Sequence, residues 1–218
     1  MPARNEARHL KKIVATIPDF VDEVIVVSNC STDATVTEAK KLGLTILVED
    51  RTKHGIGYGY AHMMGLSKAK GSIIVGADAD GTYPLGRMAE MIDFMIEQKV
   101  DFVSGNRFSA ELPNHIPRKL RLGVKLLNIE TRILYGIRIQ DILSGMWLVR
   151  AKVVPDLDLT EGDWNLSPQV KVNAARNKKL CFREFPIHQN KRYGITHQKY
   201  FKTGLSHAFW LLKNRLKG

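Results

Sequence analysis

The sequence predicts an α/β fold, a mostly parallel sheet with helices on both faces, from three observations. Short continuous runs of β-branched and apolar residues alternate with stretches of helical periodicity between residues 6 and 105. The connections between them are short, which favours a doubly wound arrangement. The chain has 218 residues, 44% of them hydrophobic, enough for one compact domain with its own core and too few for two.

Residues 6–17 place Ala7, Leu10, Val14 and Ile17 on one helical face, and Pro18 ends that helix. Residues 24–27 (VIVV) read as a strand buried on both faces. Ser31, Thr32 and Asp33 offer an N-cap for a helix running to Leu42, with Gly43 as its stop. Residues 45–48 read as a second strand, and residues 55–71 as a glycine-rich loop and a helix. A third buried strand spans 72–77, a helix 84–98, and a further strand 101–104. The opening Met1-Pro2-Ala3-Arg4-Asn5-Glu6 has the character of a strand end and its loop, so either the first strand lies before Pro2, upstream of an assigned start, which is the favoured reading, or the sheet lacks an element.

Composition excludes several classes. Cys30 and Cys181 form no CxxC pair, which argues against a disulfide framework and for a reducing compartment. No apolar run reaches the roughly 20 residues of a transmembrane helix, and no signal peptide is apparent. The net charge of +11 is not evenly spread: residues 1–112 hold 13 Lys/Arg against 15 Asp/Glu, and residues 113–218 hold 20 against 7. The basic second half suggests an anionic partner, although a solvated basic surface would have the same composition. No zinc-knuckle, RNP or helix-turn-helix pattern supports nucleic acid as that partner.

In doubly wound sheets ligands bind at the carboxyl ends of the strands. The residues there are Ser28-Asn29, Asp78-Ala79-Asp80 and Gly105-Asn106-Arg107. Two carboxylates at i and i+2 after a buried strand can share one divalent cation with a diphosphate, and hard oxygen ligands suit Mg²⁺ or Mn²⁺. A D-x-D triplet alone is as readily a pair of turn acids; its position after residues 73–77 sets it apart. Gly55-Ile56-Gly57-Tyr58-Gly59 could let backbone N–H groups approach phosphate. It does not read as a dinucleotide fingerprint after the first strand.

On these blocks the chain resembles the family 2 glycosyltransferases of the GT-A (Rossmann-like) fold. Residues 2–6 (PARNE) resemble the opening PAYNE block, residues 26–35 the VVDDGSTDGT block, and residues 78–84 (DADGTYP) the metal motif. Residues 105–108, 118–120, 141–146, 184–187 and 192–194 are similar, in order, to the GSRF, RKL, D-x-x-SGF, EVPI and R-x-G blocks. Within the family the chain is most like the dolichyl- or polyprenyl-phosphate hexose (mannose or glucose) synthases. The resemblance implies one glycosyltransferase domain over residues 1–218, with a nucleotide-sugar half (1–112) and a basic acceptor half (113–218).

The resemblance also implies roles. Pro2, Arg4, Glu6, Ser28, Asn29, Asp33, Gly55 and Gly57 would surround the nucleotide, and Asp78 and Asp80 would hold Mg²⁺ or Mn²⁺. Arg107, Arg118 and Ser144 would receive the acceptor phosphate, and Arg192 would approach the donor diphosphate. Asp141 is the best candidate base, with a structural role as the other reading. The chain departs from the pattern at Arg4, at Ser28 and Asn29 in place of two acids, at Thr82 and at Trp147. These changes leave the donor open between GDP-mannose and UDP-glucose types.

The basic second half fits a lipid-phosphate acceptor. Residues 118–135 are amphipathic, with Leu120, Leu127 and Leu134 on one stripe, and residues 204–216 combine Leu205, Phe209, Trp210 and Leu212 with Lys213 and Arg215. Both segments could lie in a headgroup layer or pack on the core. The expectation is an inverting, metal-dependent enzyme, peripheral on the cytoplasmic face of a membrane, with an integral-membrane partner protein as a further possibility. A soluble hydroxy-acid or saccharide acceptor, a nucleotidyltransferase and a nucleic-acid-binding protein are the competing readings.

Overall fold

The computed structural model describes residues 1–51, 56–109, 115–196 and 198–217. Pro2–Ala3 (β1), Ile25–Asn29 (β2) and Thr45–Glu49 (β3) form a parallel sheet in the order β1-β2-β3. Its register sets Pro2 opposite Val27 and Ile25 opposite Thr45. Ile73–Gly76 (β4), Phe102–Asn106 (β5), Trp147–Arg150 (β6) and Phe182–Pro186 (β7) form a second sheet in the order β4-β6-β5-β7. Just past β4 the Ala79 N–H donates to the Pro2 carbonyl at 3.3 Å, which brings the two sheets edge to edge.

The α-helices are Ala7–Val14 (α1), Thr35–Lys41 (α2), Tyr58–Lys68 (α3), Met88–Glu97 (α4), Arg118–Tyr135 (α5), Leu166–Arg176 (α6) and Tyr200–Lys217 (α7). They cover both faces of the sheets. Leu10 of α1 and Ala39 of α2 pack with Val26 of β2, while Ala61 of α3 packs with Val27 and Ile25. This two-sided burial is why residues 24–27 are continuously apolar rather than alternating. In the second sheet Met91 and Met95 of α4 meet Val103 and Leu148, and Val170 and Ala174 of α6 meet Phe102, Trp147 and Val149.

Pro2–Ala3 form a two-residue strand beside β2. One strand was not expected. The second sheet is mixed, because β6 runs antiparallel to both β4 and β5 and fills the place between them. The helical crossover through α4 therefore skips one strand position. β6 is only four residues long and follows a turn, so it has no alternation to betray it.

The glycine segment is used partly for packing. Gly57, at φ 75°, begins α3, and a Cβ there would lie 2.5 Å from the Arg51 carbonyl oxygen. Gly59 sits against the turn at 161–163, where a Cβ would lie 2.0 Å from the Glu161 carbonyl oxygen and 2.8 Å from the Gly162 carbonyl carbon. Both neighbours are backbone, so neither can rotate away. Gly59→Ala is expected to lower unfolding stability by about 2–3 kcal/mol, the scale of overpacking in a tight core. An unchanged denaturation midpoint in urea would show that α3 can move off the turn. Gly55 lies outside the described residues.

Candidate active site

The carboxyl ends of β1, β2, β3, β4 and β5 converge on one crevice. Asp78 and Asp80 follow β4 directly. Asp78 accepts a hydrogen bond from the Tyr58 hydroxyl at 2.9 Å, and its Oδ1 lies 4.0 Å from His62 Nε2. Burial lowers the His62 pKa to about 3, so this imidazole is neutral. Asp80 is 4% exposed, and its Oδ1 accepts from the Thr82 N–H at 2.9 Å and the Thr82 hydroxyl at 2.6 Å. Its Oδ2 pairs with Arg192 at 2.5 Å.

Glu6 completes a cluster of three acids. Burial, and next the Asp80 charge, push its pKa up to about 7. Asp78 is likewise raised, first by burial and then by Asp80. Oxygen donors that repel one another in a buried site gain from a hard cation. The residues present therefore fit Mg²⁺ or Mn²⁺. Two carboxylates would leave the remaining coordination to water and phosphate oxygens, as is usual for Mg²⁺. Among the described residues no three His, Cys, Asp or Glu side chains group as a self-sufficient metal cage.

The same crevice holds buried polar atoms without a hydrogen-bond partner: Glu6 Oε2, Asn29 Oδ1, and Arg4 Nε and Nη1. Such atoms are rare in folded proteins and point to a polar ligand. Pro2, Ser28 and Asn29 are all buried beside them, and Asn29 Nδ2 donates to the Ile56 carbonyl at 3.3 Å. Asn5 and Cys30, in the turns after β1 and β2, have left-handed φ values of 57° and 53°. Strain of this kind concentrates at functional sites. Asp33 ties the turns together. It accepts from the Ala7 N–H at 3.2 Å and the Thr35 N–H at 2.9 Å, so the starts of α1 and α2 share one carboxylate.

A loop after β7 closes over residues 80–82. The Asn190 N–H donates to the Thr82 carbonyl at 2.9 Å and the Tyr193 N–H to the Asp80 carbonyl at 3.1 Å. These bonds aim Arg192 at Asp80. Gly194 lies so close to Glu6 that a Cβ would stand 3.1 Å from its Oε2.

At the end of β5 Arg107 forms a bidentate pair with Asp141, with Nε and Nη2 donating at 2.7 and 2.8 Å. The Arg107 N–H adds a third bond at 3.0 Å. Asp141 is fully buried, and its own N–H donates to Glu184 at 2.9 Å. Both of its oxygens are thus engaged. Ser144 is also fully buried, with its hydroxyl 3.5 Å from the Met146 carbonyl. Arg118 is exposed at the first residue of α5, outside this buried network.

Three residues of the site were not singled out in the sequence. Glu49 ends β3, is 2% exposed and holds Arg51 through two bonds of 2.8 and 2.6 Å. Applying the carboxyl-end rule to β3 as to the other strands would have found it. Tyr58, stacked on Trp164 with 4.6 Å between ring centroids, fixes Asp78; nothing in its sequence neighbourhood marks that role. Lys171 is fully buried in α6 and donates to the Ser144 carbonyl at 2.6 Å and the Ser167 carbonyl at 3.0 Å.

Burial lowers the Lys171 pKa from 10.5 to about 7. The unfolded chain therefore binds more protons between those values, and stability rises with pH across that window. Between pH 7 and pH 9 wild type is expected to gain about 2 kcal/mol relative to Lys171→Met, measured by urea denaturation. Parallel curves for the two proteins would show that folding does not lower the Lys171 pKa.

The family model for glycosyl transferase family 2 matches residues 1–158. The chain is 25% identical to the low-salt glycan biosynthesis hexosyltransferase Agl6 of Haloferax volcanii, over 98% of this chain and 52% of that protein. It is 27% identical to a dolichyl-phosphate hexose transferase of the same organism, over 94% and 87% of the two chains. It is 30% identical to the polyprenol monophosphomannose synthase of Mycolicibacterium smegmatis, over 75% and 64%. Glucosyl-3-phosphoglycerate synthase from Mycobacterium tuberculosis, solved with Mn²⁺, UDP and glucosyl-3-phosphoglycerate, superposes with a TM-score of 0.75 at 17% identity, covering 98% of this chain and 77% of that one. The chain spans only about half the length of some curated relatives, 52% of Agl6 and 57% of the Haloferax glycosyltransferase AglJ.

Proposed function

The chain belongs to glycosyl transferase family 2, and from this membership we propose that it moves a hexose from a nucleotide sugar to a dolichyl or polyprenyl phosphate at a membrane surface. The observation that carries the reading is the crevice itself. Mutually repelling acids (Glu6, Asp78, Asp80) stand beside buried polar atoms without partners, under a loop that presents Arg192. The names of the Haloferax and Mycolicibacterium relatives support a lipid-phosphate acceptor.

In this reading Pro2, Arg4, Glu6, Ser28 and Asn29 bind the nucleoside, with Asp33 and Gly57 shaping the turns around it. Asp78 and Asp80 would hold Mg²⁺ or Mn²⁺, which neutralises charge developing on the leaving diphosphate. Arg192 supplies a second positive charge there when it leaves Asp80. Arg118 is the exposed cation able to meet the acceptor phosphate. Arg107 contributes a fixed charge, and Ser144 shapes the turn through its backbone. The acceptor oxygen is already an anion near neutral pH. It attacks the anomeric carbon as the bond to the nucleoside diphosphate breaks, with inversion, and no strong base is required. Asp141 is accordingly an anchor for Arg107. Catalysis rests on aligning two anions and neutralising them.

The test is nucleotide release with UDP- and GDP-sugars and Mg²⁺ or Mn²⁺, with and without a short polyprenyl phosphate. Release that needs both metal and lipid phosphate is expected, and the donor that supports it names the base and sugar. Release without lipid would move the acceptor to a soluble molecule. Pyrophosphate as the product would make the chain a nucleotidyltransferase.

A further inference from the structure

The apolar stripe of α5 that faces inward is the one through Leu120, Val124, Leu127 and Leu134; Val124 and Leu127 are buried in a cluster with Trp210 and Leu211 of α7. Trp210 also turns inward, and its indole N–H donates to Glu161 at 2.8 Å. A second set of large apolar residues is left in solvent. On α5 these are Leu122, Leu126, Ile129 and Ile133, 46–76% exposed and spaced four, three and four residues apart. On α7 they are Phe201, Leu205, Phe209, Leu212 and Leu216, 45–83% exposed at similar spacing. Each set is a single helical stripe.

The two helices lie side by side. Their C-terminal ends are joined by the Tyr135 hydroxyl donating to the Leu211 carbonyl at 2.6 Å and Arg215 Nε to the Leu134 carbonyl at 2.7 Å. Nine large exposed apolar side chains on two neighbouring helices exceed the scatter normal for a surface and mark an interaction face.

Charge decides what covers it. Exposed Lys119, Lys125 and Arg132 flank the stripe of α5, whose only acid is Glu130. α7 carries Lys202, Lys213, Arg215 and Lys217 and no acid. A second copy of the chain would bring like charges together, which costs affinity. An anionic lipid surface complements both the apolar stripes and the cations. No described helix is long and apolar enough to cross a membrane, so such helices would lie along the surface.

We propose that α5 and α7 together form the face by which this enzyme lies on an anionic membrane, their outer stripes at the acyl boundary and their lysines and arginines among the headgroups. Arg118 then stands at the start of the docked α5, where a lipid phosphate would present its headgroup. The purpose of this face rests on the lipid-acceptor reading above; its existence does not.

The experiment is co-sedimentation of the full chain with vesicles of phosphatidylcholine, alone or mixed with phosphatidylglycerol, without donor or acceptor. Wild type is expected to bind the mixed vesicles in a salt-sensitive manner. Leu126→Glu with Phe209→Glu is expected to weaken binding by at least about tenfold, and Lys202→Gln with Lys213→Gln several-fold. Thermal melts confirm that the variants fold. Binding unchanged in both variants, or absent in wild type, would overturn the proposal. So would a wild-type dimer, seen by analytical ultracentrifugation, that the glutamates dissociate, because the face would then belong to a second copy. Since the vesicles contain no polyprenyl phosphate, vesicle binding without transfer to that lipid overturns the acceptor reading and leaves the face standing. Transfer to a short soluble polyprenyl phosphate without vesicle binding overturns the face alone.

Discussion

Replacing Asp80 with alanine is expected to lower turnover about a thousandfold or more while the chain stays folded. Asp80 is where three interactions meet: the Thr82 N–H and hydroxyl on one oxygen and Arg192 on the other. Its loss leaves Asp78 as the one carboxylate after β4 and removes half of the protein oxygen ligands proposed for the divalent cation. Stability changes little, because the lost Arg192 pair is offset by relief of the repulsion that Asp80 exerts on Glu6 and Asp78. Asp80→Asn separates charge from shape, since its amide oxygen can still accept from Thr82. If charge is what matters, both variants lose turnover alike, and both lose Mn²⁺ binding measured directly by electron paramagnetic resonance. Turnover within about tenfold of wild type in either variant would remove Asp80 from the chemistry.

The second large effect is on stability. Asp141→Ala is expected to cost about 3–5 kcal/mol, because it strands the Arg107 guanidinium in the interior without its bidentate partner. Arg107 is 12% exposed, and it also donates to two neutral groups, Gln189 at 3.0 Å and the Tyr83 hydroxyl at 3.4 Å. The double variant Asp141→Ala with Arg107→Met should recover part of the loss, since the guanidinium that lost its bidentate carboxylate is then gone as well. Chemical denaturation measures both. If Asp141 were the catalytic base, Asp141→Asn would instead lower turnover by about 10²–10⁴-fold with little change in stability. A stable, inactive Asp141→Asn variant would therefore overturn the anchoring role and restore the base.

Much of the fold could be read from residue patterns, for a local reason. β2 declares itself because a strand buried on both faces is continuously apolar, β4 because it is an apolar run although the structure leaves it half-buried rather than buried as expected, and α5 because its periodicity runs unbroken for 18 residues, with bounds that match the structure. Short elements escaped. β6 has four residues, and its antiparallel place between β4 and β5 depends on pairings across more than forty residues of sequence, with Phe102 opposite Val149 and Ile73 opposite Arg150. The amphipathic helices were recognised, but the stripe through Leu127 and the indole of Trp210 turned inward, and a second apolar stripe was left outside. Two apolar faces on one helix cannot be ranked without knowing what each will meet.

By itself the sequence determined the chemistry on offer: two carboxylates two residues apart at the end of an apolar strand, a cationic second half, and a set of blocks whose order marks the family. These are local facts of residue type and spacing, and the backbone periodicities translate them directly into position. Tertiary structure alone decided which charges cancel. It paired Arg107 with Asp141 across 34 residues and Arg192 with Asp80, buried Lys171 on two carbonyls, and left polar atoms of Glu6 and Asn29 without partners. The energy of a charge depends on its burial and on the partner within a few ångströms, and both are set by chain segments far apart in sequence.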